Sequence, residues 1–280
     1  MTSPFHPGEL AVQEQAGVRD RAARVGNSIH DAIPVAAARF LEERRWIVLA
    51  TAEEDGRPWV SLLTGAPGFV RVESDRTITV TATPRPGDPL ERTAAVSRFA
   101  GVLAVDLATR RRMRLNGILQ REPGGRLRIE ADQVFANCPR YIHPRPEPVP
   151  AAAGGRAALV ARALSDRQRE WIRAADTCFI GTLHPQHGAD VSHRGGPAGF
   201  IRVEGNRLVW PDYAGNMMYN TLGNIAAHPR AGLLVPDFAT GGALLLSGRA
   251  AIVWDRARVE AVPGAERLVE FEVDAVVEPG

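Results

Sequence analysis

Lysine is absent from this sequence: all 34 basic residues among its 280 are arginine. Imine chemistry on a lysine is thereby excluded, and any anion has to be held by Arg, His, backbone N–H groups or helix ends. Cysteine is scarce as well, with only Cys138 and Cys178. Two thiols exclude a disulfide framework and fit a reducing compartment. Cys178, inside the apolar run Cys178-Phe179-Ile180, reads as a small buried residue. No apolar run approaches the ~20 residues of a bilayer span. The first ten residues, MTSPFHPGEL, hold no basic stretch followed by an apolar one. The sequence therefore predicts no membrane contact, no signal peptide and a cytoplasmic location. An excess of one charge is missing too: the net charge of +2 gives no reason to expect nucleic acid as a partner.

What the sequence does contain is a repeat. Gly68-Phe69-Val70-Arg71-Val72-Glu73 returns as Gly199-Phe200-Ile201-Arg202-Val203-Glu204, a separation of 131 positions. At the same separation Thr51 meets Thr182, Ser61 meets Ser192, Asp106 meets Asp237 and Gly117 meets Gly248. A constant offset over that span needs no net insertion, and it implies a duplicated structural unit.

Taken in order, residues 1–45 predict a helical N-terminal extension, with Pro34 suited to a first helical position. Residues 46–142 predict the first β unit. Its signals are the apolar run from Trp46, the Asp55-Gly56 turn, and the period-two alternation of Thr77 to Thr81. Residues 143–156, with prolines at 144, 146, 148 and 150, predict a stiff linker. Residues 157–280 predict the second unit, opened by a Ser165/Gln168 capping box. Short strands with regular turns indicate small antiparallel barrels of about six strands, in which closure would remove exposed edges. The predicted fold class is mainly β: tandem split β-barrels with short helices and a helical lead-in.

The polar residues crowd into Ser192-His193-Arg194 and the stretch from Asp212 to Asn224. These, with Gly199-Phe200-Ile201-Arg202-Val203, Val209-Trp210-Pro211-Asp212-Tyr213 and Asn220-Thr221-Leu222-Gly223-Asn224, resemble the pyridoxamine 5'-phosphate oxidase-like, FMN-binding split-barrel proteins. Asn137-Cys138-Pro139-Arg140-Tyr141-Ile142 resembles a segment of one branch of that family, with Arg140 where the branch has lysine. The family's Ser-x-Lys pair is here Tyr219 and Thr221. A C-terminal Arg-x-Arg region does not follow Trp254, so pyridoxamine phosphate is not assigned as substrate.

The resemblance implies FMN bound between two barrels that pack as an intramolecular pseudo-dimer, with a further homodimer left open. It implies electron or hydride transfer between FMN and NAD(P)H or a small organic substrate. The residue chemistry agrees: Arg194 suits a phosphate, and Asn220 and Thr221 fall where helix N-caps fall. Ser192 and His193 could bond phosphate or ring oxygens, and Trp210 and Tyr213 could wall a ring. The predicted cofactor set is Ser192, His193, Arg194, Trp210, Asp212, Tyr213, Asn216, Asn220, Thr221 and Asn224, with Ser61, Thr64, Asn137, Arg140 and Tyr141 as the opposite wall. No catalytic acid or base is named.

Weaker patterns stand beside these. His184, His187 and His193 are ligand types for a metal, but turn and strand positions give them no shared face. Ser192 and His193 are neighbours on a strand and point to opposite faces, which excludes a nucleophile–base pair. Arg110-Arg111-Arg112-Met113-Arg114 reads as a solvated turn, with contact to a phosphorylated ligand as the sharper alternative. A flavin-binding protein without turnover, or a haem protein using His193 or His228, are the rival functions.

Overall fold

The structure is a computed structural model that describes residues 3–146 and 157–280; the part of the predicted linker from 147 to 156 lies outside them. Three helices lead in: α1 (Pro7–Gln15), α2 (Arg19–Gly26) and α3 (Val35–Glu42). The first sheet contains β1 (Trp46–Ala52), β2 (Pro58–Thr64), β3 (Val70–Ser74), β4 (Thr77–Val80), β5 (Phe99–Asp106), β6 (Arg111–Arg121) and β7 (Leu127–Ala136), with α4 (Leu90–Val96) between β4 and β5. After β8 (Leu159–Ala161) and α5 (Asp166–Ala174), the second sheet contains β9 (Thr177–His184), β10 (Gly188–Gly195), β11 (Arg202–Glu204), β12 (Arg207–Tyr213), β13 (Arg230–Asp237), β14 (Gly242–Val253) and β15 (Ala265–Glu278). Here α6 (Asn220–Ala227) precedes β13 and α7 (Arg256–Glu260) precedes β15. The Ser165 capping box forms as predicted: the hydroxyl accepts from the Gln168 N–H, and the Gln168 side chain accepts from the Ser165 N–H.

The duplication is visible strand by strand. The sheet orders are β2-β1-β5-β6-β7-β4-β3 and β10-β9-β13-β14-β15-β12-β11, the same path twice, with β8 added beside β15. β5 and β13 match residue for residue at the 131 offset, and both units carry a register shift at the same place, Asn116/Gly117 and Ser247/Gly248. Beyond the following turn the offset widens to 142, because Gly117 pairs Ala131 while Gly248 pairs Val273. The longer second turn holds α7.

Each path has seven strands rather than six, and it is open: among the described residues no ladder joins β2 to β3 or β10 to β11. The expectation that closure protects the edges is therefore corrected. The edge strands β2 and β10 are covered by the opposite unit instead. β2 packs on β13, β14 and β9, and β10 packs on β5, β6 and β1, the same contacts with the units exchanged. That exchange is what a two-fold relation between the units requires.

Burial on both faces explains why β1 from Trp46 to Ala50 and β9 from Cys178 to Gly181 carry no polar side chain. Ile47 and Leu49 face the core of the first unit, whereas Trp46, Val48 and Ala50 face a shared core with Phe179, Val191 and Leu234. A strand covered twice loses its polar alternation. Two glycines set the closeness of the units. A Cβ on Gly101 would lie 2.7 Å from the Asp190 backbone, and one on Gly232, its equivalent, 2.8 Å from the Pro58 carbonyl oxygen. Both cysteines are free, and burial pushes the Cys178 thiol up to about 12. Among the described residues no helix is long and apolar enough to cross a membrane.

Candidate functional site

A cavity lies where the two units meet. From the first unit come Arg112 and Arg114 of β6 and the segment 137–141; from the second come Ser192 to Gly195 of β10, Asp212 and Tyr213 of β12, and residues 215–222. The segment 137–141 leaves β7 and crosses to the second unit. The Asn216 amide donates to Asn137 Oδ1 at 3.3 Å, the Tyr141 hydroxyl donates to the Ala214 carbonyl at 3.1 Å, and the Tyr141 and Tyr213 rings lie 5.0 Å apart. Gly195 permits this crossing, since a Cβ there would sit 2.0 Å from the Tyr141 carbonyl oxygen.

Arg114 is the centre of the site. It is buried, and its guanidinium donates to Asp190 Oδ2 at 3.2 Å, to Asn220 Oδ1 at 3.1 Å and to the Ser192 hydroxyl. Asp190 Oδ1 also accepts from Thr182 at 2.6 Å, and Thr221 donates to Ser192 at 2.8 Å. Behind this layer stands the N-terminal turn. Asn220 donates to Glu9, Asn224 donates to Thr182 at 3.0 Å, and His6 Nε2 pairs with Asn224 Oδ1 at 2.9 Å. Helix α1 reaches α6 because Gly8 and Gly223 face each other: a Cβ on Gly8 would lie 2.4 Å from the Gly223 carbonyl oxygen. The burial that results pushes the Glu9 carboxyl up to about 7, and burial together with His184 pulls His6 down to about 4.

The cavity holds more donors than acceptors. Arg112 Nε, Arg114 Nε, Arg194 Nε and both ring nitrogens of His193 are buried without a hydrogen-bond partner. Arg194 Nη2 stands 3.7 Å from Asp212 Oδ1, and Asp212 is shared with Arg267 at 3.1 Å. Burial, with Arg112 and Arg194 nearby, holds His193 well below the usual imidazole range, so its ring is neutral. Burial, then Arg114 and Arg194, pulls Arg112 down to about 10. Buried donors without acceptors are costly, and three guanidinium groups around one space call for an anion. Three residues with left-handed backbone, Tyr141, Met217 and Tyr219, line this same cavity. Such conformations in non-glycine residues concentrate at functional sites.

Of the predicted cofactor residues, eleven line the cavity: Ser192, His193, Arg194, Asp212, Tyr213, Asn216, Asn220, Thr221, Asn137, Arg140 and Tyr141. Four do not. Trp210 is fully buried in the core of the second unit beside Phe271, because its place on β12 points it inward. Asn224 lies a turn further along α6, against Thr182 and His6. Ser61 bonds Asp88 at 2.5 Å inside the first unit, and Thr64 ends β2 opposite Trp46. The N-cap expectation is also corrected: the cap is Tyr219 in the left-handed region, without a side-chain cap bond, and Asn220 and Thr221 are the first helical residues. His184 and His187 join His6, with ring centroids 4.5 to 5.5 Å apart, and not His193. Among the described residues no group of three His, Cys, Asp or Glu side chains could hold a metal.

Sequence reasoning missed Glu9 and left Arg112 and Arg114 outside the cofactor set, as a solvated turn with contact to a phosphorylated ligand only as the alternative. The sign of the two arginines was present in the repeat: at the 131 offset Arg112 and Arg114 are Ala243 and Leu245. Two arginines where the sister strand is apolar have no packing reason.

The two units, their common strand path and this inter-unit cavity define a β-rich protein built by duplication. Residues 164–276 match the family model described as pyridoxamine 5'-phosphate oxidase. No curated protein matches the chain. Among solved structures it is similar to HupZ of Group A Streptococcus, at 12% identity over 39% of this chain and 89% of that one, TM-score 0.33. It is also similar to General Stress Protein 26 of Bacillus anthracis, at 12% identity over 40% and 91%, TM-score 0.31. A FAD-binding protein of Mesorhizobium loti matches at 14% identity over 44% and 99%, TM-score 0.31.

Proposed function

We propose that this protein binds FMN in the cavity between its two units and works as a flavin-dependent oxidoreductase, each sheet being one half of a split-barrel pair. The observation that carries this reading is the convergence of unpartnered buried donors, Arg112, Arg114, Arg194 and His193, on one cavity of a chain whose residues 164–276 match that family model. The donor set fits a phosphate monoester. The enclosed space, about 90 Å³, is far below the roughly 300–1,000 Å³ of small-molecule pockets. It takes the phosphate end, and admission of the ring requires the adjoining Tyr141 and Tyr213 rings to part.

When bound, FMN supplies the redox chemistry. The chain's own residues bind and orient. Arg112, Arg114 and Arg194 hold the phosphate, Ser192 and Thr221 add hydroxyls, and Tyr141 and Tyr213 exclude water at the mouth. Asp190 and Asn220 fix Arg114. NADH, NADPH or a small organic molecule is the other party.

The test is the absorbance of the protein as purified, followed by FMN titration and then anaerobic addition of NADH and NADPH. Bound flavin with bleaching on one nucleotide is the expected result. A protein that neither carries nor takes up FMN would overturn the reading; one that takes it up and is never reduced would restrict it to binding.

A further inference from the structure

A second space adjoins the cavity. It is a groove of about 600 Å³ between α3 and the adjoining ends of β6 and β7, and it shares Arg112 and Asn137 with the cavity. That volume lies within the range of small-molecule sites. Its floor is apolar: Phe40, Met113 and Val134 are buried members of the first unit's core whose edges reach the groove. Its rim is cationic, and no acidic side chain lines it among the described residues.

The three rim arginines differ in their commitments. Arg111 is engaged, with Nε on the Thr109 hydroxyl at 3.1 Å, Nη2 3.6 Å from Asp106, and its guanidinium over the Phe40 ring. Arg112 has its buried Nε without a partner and remains charged at neutral pH. Arg110 is held in the left-handed region at φ 55°, the one non-glycine residue so placed among the described residues that does not line the cavity. Glycine there would spare that strain; arginine keeps a cation at the groove's edge. An apolar floor, a cationic rim whose Arg110 guanidinium is uncommitted, and no counter-charge together specify the ligand's chemistry.

We propose that this groove binds an organic carboxylate with an apolar body, its chain or ring on Phe40, Met113 and Val134 and its carboxylate against Arg110. The inference stands apart from the flavin reading, since Arg110 and the floor of Phe40, Met113 and Val134 line the groove and not the cavity.

The probe is octanoate, titrated calorimetrically onto the full chain with octanol and octylammonium as controls. Octanoate should bind in a one-to-one ratio, octanol about tenfold or more weakly, as loss of a charged hydrogen bond requires, and octylammonium not at all. Ala36→Trp fills the groove from an exposed position of α3 and should abolish octanoate binding. Arg110→Gly suits the φ of that position, so folding is preserved, and should weaken octanoate about tenfold while leaving octanol unchanged. Octanol binding as well as octanoate, undetectable octanoate binding, or an Ala36→Trp variant that binds octanoate normally would each sink the proposal. FMN titrated onto the same two variants reports on the cavity alone, so failure of the flavin reading would show there and not in the octanoate series.

Discussion

The cavity has a counterpart, and the two are chemically unlike. Applying the 131 offset, Ser192 corresponds to Ser61, but His193, Arg194 and Thr221 correspond to Leu62, Leu63 and Leu90. From the opposite unit, Arg112 and Arg114 correspond to Ala243 and Leu245. Leu62, Ala243 and Leu245 join the core shared by the units, and Leu63 and Leu90 join the core of the first. The remaining polar group closes on itself: Ser61 donates to Asp88, which also accepts from the Leu90 N–H at 2.8 Å, and burial pushes that carboxyl up to about 6. Each location draws side chains from both units, so the difference between them is written in both halves of the chain. Duplication preserved the packing, which a two-fold contact demands of each half alike, and released the polarity, which only one location needs.

The most damaging test converts the polar location toward the silent one. Arg114→Leu copies Leu245 and should abolish FMN binding, a loss of at least about a hundredfold, since several charged hydrogen bonds disappear together. It also strands Asp190 in the interior, which costs about 3–5 kcal/mol of stability. A thermal melt and an FMN titration of the same variant separate the two effects. A variant that keeps both its melting temperature and its FMN affinity would remove Arg114 from the centre of the site.

Stoichiometry sharpens the contrast next. Calorimetry should give one FMN per chain. Two equivalents would mean that Leu62, Leu63 and Leu245 do not close the counterpart, and the comparison would fail.

The paired glycines test packing against polarity. Gly101→Ala and Gly232→Ala push a Cβ into backbone at equivalent places, and each should cost about 1–3 kcal/mol. Only Gly101→Ala presses on Asp190, so it alone should also weaken FMN. Unequal stabilities, or equal effects on FMN, would break the two-fold account.

The duplication was legible from sequence because it is local: a constant offset needs no knowledge of docking. So were the lead-in helices and the Ser165 cap, whose signals lie within a few residues. The cavity's lining was legible where it rests on one strand or one loop, as for Ser192 to Arg194 and Asn137 to Tyr141. It was not legible where it depends on how the units meet. Arg112 and Arg114 look like a solvated turn until β6 is placed against β10. Trp210 looks like a wall until β12 shows which face is inward. Tyr219 as the cap of α6 was not legible, because a left-handed tyrosine has no sequence signature.

The N-terminal turn extends the asymmetry, and its effect is the smallest and the most diagnostic. Gly223, which lets α1 cross α6, is Arg92 in α4, where the guanidinium lies over Trp59 and pairs with Glu53. Only the polar location therefore buries an acid and a base behind it. Glu9 faces Asp190 and Arg114, and His6 faces His184 and His187. Glu9 rises from 4.5 to about 7 through burial, so between those values the folded protein holds the proton more tightly than the unfolded chain, and stability falls as pH rises. His6 falls from 6.5 to about 4, so between those values the unfolded chain holds the proton more tightly, and stability rises with pH. The windows overlap from about 4.5 to 6.5, where the slopes have opposite sign and offset each other. Glu9→Gln leaves the His6 contribution alone, and its stability should climb with pH relative to the wild type. His6→Asn leaves the Glu9 contribution alone, and its stability should decline. Urea unfolding of the three proteins at pH 4.5, 5.5 and 6.5 measures those slopes. Substitutions that shift all three pH values equally would show that His6 and Glu9 act by packing alone, and that the buried pair adds nothing to the difference between the two locations.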